Sequence, residues 1–448
     1  MTNGESDGSL RTEADPNQLK ETKRAKAIPR AWIEWRPPMA TVRPFRALRP
    51  TSGNAAAVSA VPYDVVSTAE ARQLAAGNPL NFLHVSRPEI DLPDGTDPYS
   101  DAVYEKAAVN FARLKRDAPL SPESEPSLYI YRLRMGSHEQ TGIAGCCSLD
   151  EYDSGVIRKH ERTRRDKEDD RTRHMVTIAA QTGPVFLTYR GRSEINAIVE
   201  QAKSGQPLFD FTAPDGIAHA VWRIGGQAAG RLAEQFRPVP LLYIADGHHR
   251  AASAARARRE LAGTNPRHTG EEAYNFFLAV AFPSGEVRIL PYNRVVKDLN
   301  GKNPEEFLQA LREKFALTAD ASPSPRRKGE IGVYLAGRWY GLLIPPGGAA
   351  TGGAIASLDA ALLQEKILEP LLGIKDIRTD ERIDFVGGIR GTAELERLVD
   401  TGKAAVAFSL YPVTLDDLMA VSDANEIMPP KSTWFEPKLR DGLLIHEI

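Results

Sequence analysis

Two short stretches hold the side chains best suited to chemistry. The first is Asp246-Gly247-His248-His249-Arg250. It lies between the apolar run Leu241-Leu242-Tyr243-Ile244 and an alanine-rich segment starting at Ala251. The run has strand length, Gly247 permits a tight turn, and the alanines favour helix. The start of a helix presents unpaired N–H groups and a partial positive charge, so it attracts anions. An arginine forks onto phosphate oxygens, and histidines add donors or a proton. The turn therefore reads as a phosphate grip built from Asp246, Gly247, His248, His249 and Arg250. The plainer reading is a capped surface helix with satisfied histidines.

The second stretch is Lys159-His160-Glu161-Arg162-Thr163-Arg164-Arg165-Asp166-Lys167-Glu168-Asp169-Asp170-Arg171. Its i,i+4 partners include the like-charged pairs Asp166–Asp170 and Lys167–Arg171, which do not favour a simple salt-bridged helix. A basic loop is expected instead. Arg162, Arg164 and Arg171 would meet phosphate, Glu161 would be the general base, and His160 would stand beside it. Nearer the start, Tyr63 and Asp64 follow Pro62 and precede a helix capped by Ser67. They are either a loop wall or a substrate contact. Asn81, His84, Arg87 and Glu89 lie on or just past an expected strand at 81–85 and are candidate contacts for a polar substrate. Arg378, Asp380, Arg382, Asp384, the pair Gly387-Gly388 and Lys431-Ser432-Thr433 form a further group; the glycines would admit close backbone approach to a ligand, but a structural or interface role is the favoured reading, since turn chemistry alone explains them. No His-Glu-x-x-His spacing occurs, so no protein-held metal is expected.

The elements that must position these residues alternate between helix and strand. Helices are expected at 68–76, 101–116, 192–203, 226–236 and 304–315. A strand hairpin is expected over Gly136-Ser137, a strand at 185–189, and a second hairpin over Ala336-Gly337-Arg338. Because strands also come in pairs, the fold class is α+β with a mixed sheet, not a purely parallel one. The pattern changes near residue 268. The expected organisation is a polar tail at 1–27, a catalytic domain at 28–268 and a C-terminal domain at 269–448, the latter with α/β character. The segment Met428–Lys438 is too distinctive in composition to be a mere spacer.

Composition sets outer limits. The chain has 448 residues and 42% hydrophobic residues, enough for more than one core. It has 57 basic and 59 acidic residues, a net charge of −2, which removes the bulk footprint of a nucleic-acid binder. No apolar run is long enough to span a membrane and no apolar signal core opens the chain, so a cytoplasmic location is expected. Cys146 and Cys147 are adjacent, which suits inert reduced thiols.

These motifs have a family resemblance. Asp246-Gly247-His248-His249-Arg250 followed by alanines resembles the phosphate-binding signature of the ParB/sulfiredoxin superfamily, and within it that of the free L-serine kinases. Lys159-His160-Glu161 resembles the kinase segment that carries the catalytic glutamate. From Val61–Ser67 through His160–Arg171 and Ala245–Arg250 to Met428–Lys438, the chain resembles the DUF1015 family. The resemblance implies a ParB/sulfiredoxin-like catalytic domain. It also implies a kinase-type transferase acting in serine metabolism, using ATP or ADP with magnesium. Glu161, His160 and His248 would be catalytic; Tyr63, Asp64, His84 and Arg87 would bind substrate. Partners would be a small molecule and a nucleotide; a homodimer is left open. One departure is the long separation of Glu161 from Asp246, which puts serine itself in question. Two other readings stand beside the kinase: a phosphatase acting on phosphoserine-like esters, and a nucleotide-binding switch or scaffold without turnover.

Overall fold

The computed structural model describes residues 39–118, 120–345 and 353–448. The expected tail at 1–27 lies outside the described residues. The fold is α+β, organised around a mixed eight-stranded sheet and a six-stranded one.

The order across the large sheet is Ile157–Arg158, Leu242–Asp246, Val185–Tyr189, Phe276–Pro283, His138–Ser148, Leu128–Met135, Ala218–Ile224 and Phe209–Thr212. The first two strands are parallel, as are the third and fourth; the remaining pairings are antiparallel. Helices and loops cover both faces. Alternate residues of a strand therefore enter different cores, because side chains point to opposite sides of a pleat. Ile130, Ile143, Phe277 and Ala279 pack on one side. Tyr129, Tyr131, Ala144, Leu278 and Val280 pack on the other. Cys146 and Cys147 are free thiols buried one on each side. Burial pushes both thiols up, so neither is poised to react.

The smaller sheet is antiparallel throughout and is built from strands between Tyr292 and Ser409. Strand Phe276–Pro283 sits in the middle of the large sheet, so the chain passes between sheets after Pro283. Two helices lie side by side over the large sheet near the motifs, Arg165–Ile178 and His248–Thr264. Small residues permit the close approach: Ala251, Ala252, Ala254 and Ala255 are all buried. Ser253 donates from its hydroxyl to the Glu168 carbonyl at 3.3 Å.

Ser67 caps helix Thr68–Ala75 in a full capping box with Glu70. Three local expectations are corrected. Residues 81–85 do not form a strand: Leu83–Ser86 is a short helix and Pro88–Asp91 a 3₁₀ turn. The Asn81 side chain accepts from the Leu83 N–H at 2.9 Å, and Phe82, Leu83 and Val85 bury on one side. Strands Phe209–Thr212 and Ala218–Ile224 occupy a stretch where only helices were expected on either side. The charged segment from Arg165 onward is helical despite its like-charged i,i+4 partners. Its charges pair away from their own face: Lys167 with the Tyr99 hydroxyl, Asp170 with Tyr104, Arg171 with the Ser86 carbonyl and Arg173 with Asp101. Only residues 159–164 remain as the expected loop.

Candidate active site

Strand pairing explains the meeting of the two motifs. Leu242 pairs with Ile157 and Tyr243 with Arg158, in parallel. Parallel neighbours leave the sheet at the same edge, so 160–161 and 246–250 emerge together. Clefts at the carboxyl ends of parallel strands are where α/β sheets commonly place ligands.

The turn itself is set by Gly247. Its φ is 91°, and a Cβ there would sit 3.4 Å from the Val185 Cα. Its N–H donates to Asp246 Oδ1 at 3.0 Å. No side chain caps the helix that follows, and Ala251 is the residue whose N–H returns to the Gly247 carbonyl. The N–H groups of His248, His249 and Arg250 precede that first helical bond and form the anion-attracting end of the helix.

His160 and His248 face each other edge to face with ring centres 4.4 Å apart. Both are buried, at 2% and 5% exposure. Neither nitrogen of His160 and not Nε2 of His248 makes a well-aligned hydrogen bond. Burial lowers His160 to a pKa of about 4, outweighing the Ile244 backbone and Asp246, which favour its protonated form. Burial, then the neighbouring His160, lowers His248 still further. Both rings are therefore neutral at pH 7 and offer hydrogen bonds or lone pairs, not charge. Burial also lowers His249. His249 accepts at Nε2 from the Arg164 backbone N–H at 3.1 Å, which ties the loop to the helix.

Glu161 stands at the mouth of the cleft, with Oε2 3.9 Å from His248 Nδ1 and 38% of its side chain exposed. Partial burial raises its pKa, Lys431 opposes this, and Asp246 and Asp64 add to it. A carboxylate with a raised pKa in a polar cleft suits a general base.

Positive charge comes mainly from 431–438, where sequence reasoning singled out Lys431 for a structural or interface role and gave Lys438 none. Lys438 pairs with Asp246 Oδ2 at 2.9 Å. Burial alone would raise Asp246, but Lys438 and Arg250 hold it well below the usual carboxylate range. Lys431 acts on both Glu161 and His249. The Met428 N–H donates to the His160 carbonyl at 2.9 Å. The distinctive composition of 428–438 was the available signal, but it did not say which element the segment would cover.

Arg250 is buried beneath the turn. It donates to the Pro184 carbonyl at 2.7 Å and to both oxygens of Asp64 at 3.2 Å. It thus holds the Tyr63–Asp64 loop against the turn. Arg171 is also buried and stacks 4.4 Å from the Tyr63 ring centre, paired with Asp170 at 2.8 Å. Arg162 and Arg164 are exposed, and Arg164 pairs with Asp166 at 2.6 Å. His84 and Arg87 are engaged elsewhere. His84 pairs with Asp91 at 2.9 Å, and Arg87 braces the Tyr63 carbonyl, Thr68 and Glu89. The Gly387-Gly388 pair is a packing feature: a Cβ on Gly387 would strike the Trp434 ring at 2.7 Å, and one on Gly388 the Pro291 carbonyl at 2.6 Å.

Behind Arg250 lies a cavity of about 40 Å³, lined by Tyr63, Arg171, Gly183, Arg250 and Asp441 among others. Asp441 Oδ1 has no hydrogen-bond partner. Burial raises Asp441 to a pKa of about 7, although Arg250 pulls it down. An unfolded aspartate titrates near ~3.9, so the folded state holds this proton more tightly. Stability is therefore lost as pH rises from about 4 through about 7. Asp441→Asn is expected to stabilise the protein at pH 8 by up to about 4 kcal/mol, with the gain shrinking as pH falls and nearly absent by about pH 3–4. Urea midpoints of both forms across that range check this; a pH-independent difference would count against it.

An α+β protein with a carboxylate facing the uncapped start of a helix is what fold and site together define. The chain belongs to the family described as "Protein of unknown function (DUF1015)", whose model matches residues 42–361. No curated protein matches it. Among solved structures it is similar to a free serine kinase mutant in complex with AMP, at 13% identity and TM-score 0.33, over 66% of this chain and 87% of that one. Another mutant of a free serine kinase, in complex with ADP, matches at 14% identity with the same TM-score and coverage. A conserved hypothetical protein from Pyrococcus furiosus matches at 13% identity and TM-score 0.33, over 68% of this chain and 94% of that one. Among the described residues, no helix is long and apolar enough to cross a membrane.

Proposed function

We propose that the cleft transfers a phosphoryl group from ATP or ADP to the hydroxyl of a small acceptor, with free L-serine or a related hydroxy-amino acid as the favoured substrate. The observation that carries the reading is Glu161, with its raised pKa, held 3.9 Å from His248 at an uncapped helix start. Glu161 takes the acceptor's hydroxyl proton as that oxygen bonds to phosphorus. The bond from phosphorus to the bridging oxygen breaks, and its electron pair stays on the leaving nucleotide. Lys431, Lys438 and the N–H groups at 248–250 balance the charge on the transferring group. Positioning and electrostatics supply most of the acceleration in such reactions.

Magnesium prefers oxygen ligands and keeps most of its waters and phosphate contacts, needing few protein groups. Asp64 is a suitable carboxylate, and the ion would neutralise phosphate charge. The imidazoles of His160 and His248 do not suit it.

The test is to incubate the protein with ATP or ADP, Mg²⁺ and a panel of hydroxy-amino acids, following product by phosphorus NMR. A phosphorylated acceptor is expected. No product with either nucleotide would end this reading. Phosphate released from phosphoserine without nucleotide would put a phosphatase in its place. Nucleotide-dependent self-association without product would favour a switch.

A further inference from the structure

The structure assigns a transition-metal site to His160, Glu161 and His248, distinct from any magnesium carried on nucleotide phosphates. One ligand atom from each residue lies within 4.8 Å of the other two. A tetrahedral ion with ligands about 2.1 Å away needs them about 3.4 Å apart. The closure required is therefore at most about 1.4 Å. Glu161 is the member able to supply it, being partly exposed and on a loop.

The second observation is the state of the imidazoles. Buried polar atoms are nearly always paired, and an exception calls for an explanation. Here Nε2 of His248 is buried without a partner and His160 makes no well-aligned hydrogen bond, only the backbone of Ile244 standing near it, and both side chains are more than nine-tenths buried. Two imidazoles turned edge to face beside one carboxylate explain this if a cation completes the group. The His160 backbone is pinned by Met428, and His248 is fixed in the first turn of a 17-residue helix. The two nitrogen donors are thus held rigidly while the oxygen donor is free to close.

The donor set selects the ion. Imidazole with one carboxylate suits Zn²⁺, Fe²⁺ or Co²⁺ and not Mg²⁺ or Ca²⁺. Three protein ligands leave a coordination position for water or a substrate oxygen, as catalytic zinc sites do. The sequence spacing gave no hint of this, because the two histidines come from different strands' ends.

The assignment does not rest on phosphoryl transfer, so its test uses the metal alone. Full-length protein stripped with chelator is titrated with ZnCl₂ by calorimetry and with CoCl₂ by visible absorption, without nucleotide. One equivalent per chain is expected, with cobalt bands of a four- or five-coordinate site, and millimolar Mg²⁺ should not displace the ion. His160→Ala and His248→Ala should each weaken binding at least 100-fold, and Glu161→Gln about 10-fold. His268→Ala, at an exposed pair with Glu272, should leave it unchanged. Circular dichroism verifies that each variant is folded, and His160→Asn stands in if the alanine form is not. No stoichiometric binding by the wild type, or binding that survives both histidine changes, would overturn the site. Zinc binding with no phosphorylated product would sink the transferase reading and leave this one standing. Magnesium-dependent turnover by a protein that fails to bind zinc would do the opposite.

Discussion

Glu161→Gln is expected to lower the rate of phosphoryl transfer by about 10²–10⁴-fold, with nucleotide affinity nearly unchanged. Glutamine keeps the size of the side chain and can still meet His248, but it cannot accept the acceptor's proton. The pH profile provides a second signature. Because partial burial raises Glu161 and Asp246 adds to that against Lys431, the base is protonated and inactive over a range that extends above the usual ~4.3 of a glutamate. Wild-type turnover should therefore climb as pH rises through a midpoint above that value, and the climb should vanish in the variant. Initial rates from pH 4.5 to 8 measure both. A variant with wild-type turnover, or an unchanged acid limb, would remove Glu161 from the chemistry.

The second large effect concerns stability. Arg250→Ala is expected to destabilise the fold by about 3–5 kcal/mol, the usual result of stripping one partner from a buried ion pair. Arg250 serves three neighbours: it pairs with Asp64, donates to the Pro184 carbonyl, and lowers Asp246. Its loss leaves acidic groups facing each other in a poorly solvated space. Arg250→Lys should recover only part, since an ammonium cannot reach Pro184 and both Asp64 oxygens in the same geometry. In a double-mutant cycle, Asp64→Asn should cost much less in the Arg250→Ala background than in the wild type. Urea midpoints give all four values, and additive losses would show that the Asp64 pair contributes nothing.

The two motifs were legible because their residue types are unusual for their positions. A glycine at a strand end, two histidines and an arginine before an alanine run have few structural explanations. The helices at 193–203 and 226–236 and both hairpins were legible through local periodicity. The convergence of Glu161 and His248 was expected only through the family resemblance, because the parallel pairing of Ile157 with Leu242 is a long-range choice that leaves no local trace. The same limit hid Lys438: a lysine in a loop looks alike whether it meets water or a buried aspartate. The segment 165–178 misled for a related reason. Like charges one turn apart argue against a helix only when the helix stands alone, and here Tyr99, Tyr104 and Asp101 neutralise the argument. At 81–85 the error was local, since an asparagine cap outweighed an apolar alternation too short to specify a strand.

The contacts from Met428 to His160 and from Lys438 to Asp246 also bear on how the protein is made. Both contacts come from a segment synthesised after the paired strands Ile157–Arg158 and Leu242–Asp246 and after the glycine turn. Until that segment is made, Asp246 has no ammonium beside it and the His160 loop lacks its backbone anchor. The cleft is therefore completed only once residues 428–438 have been made.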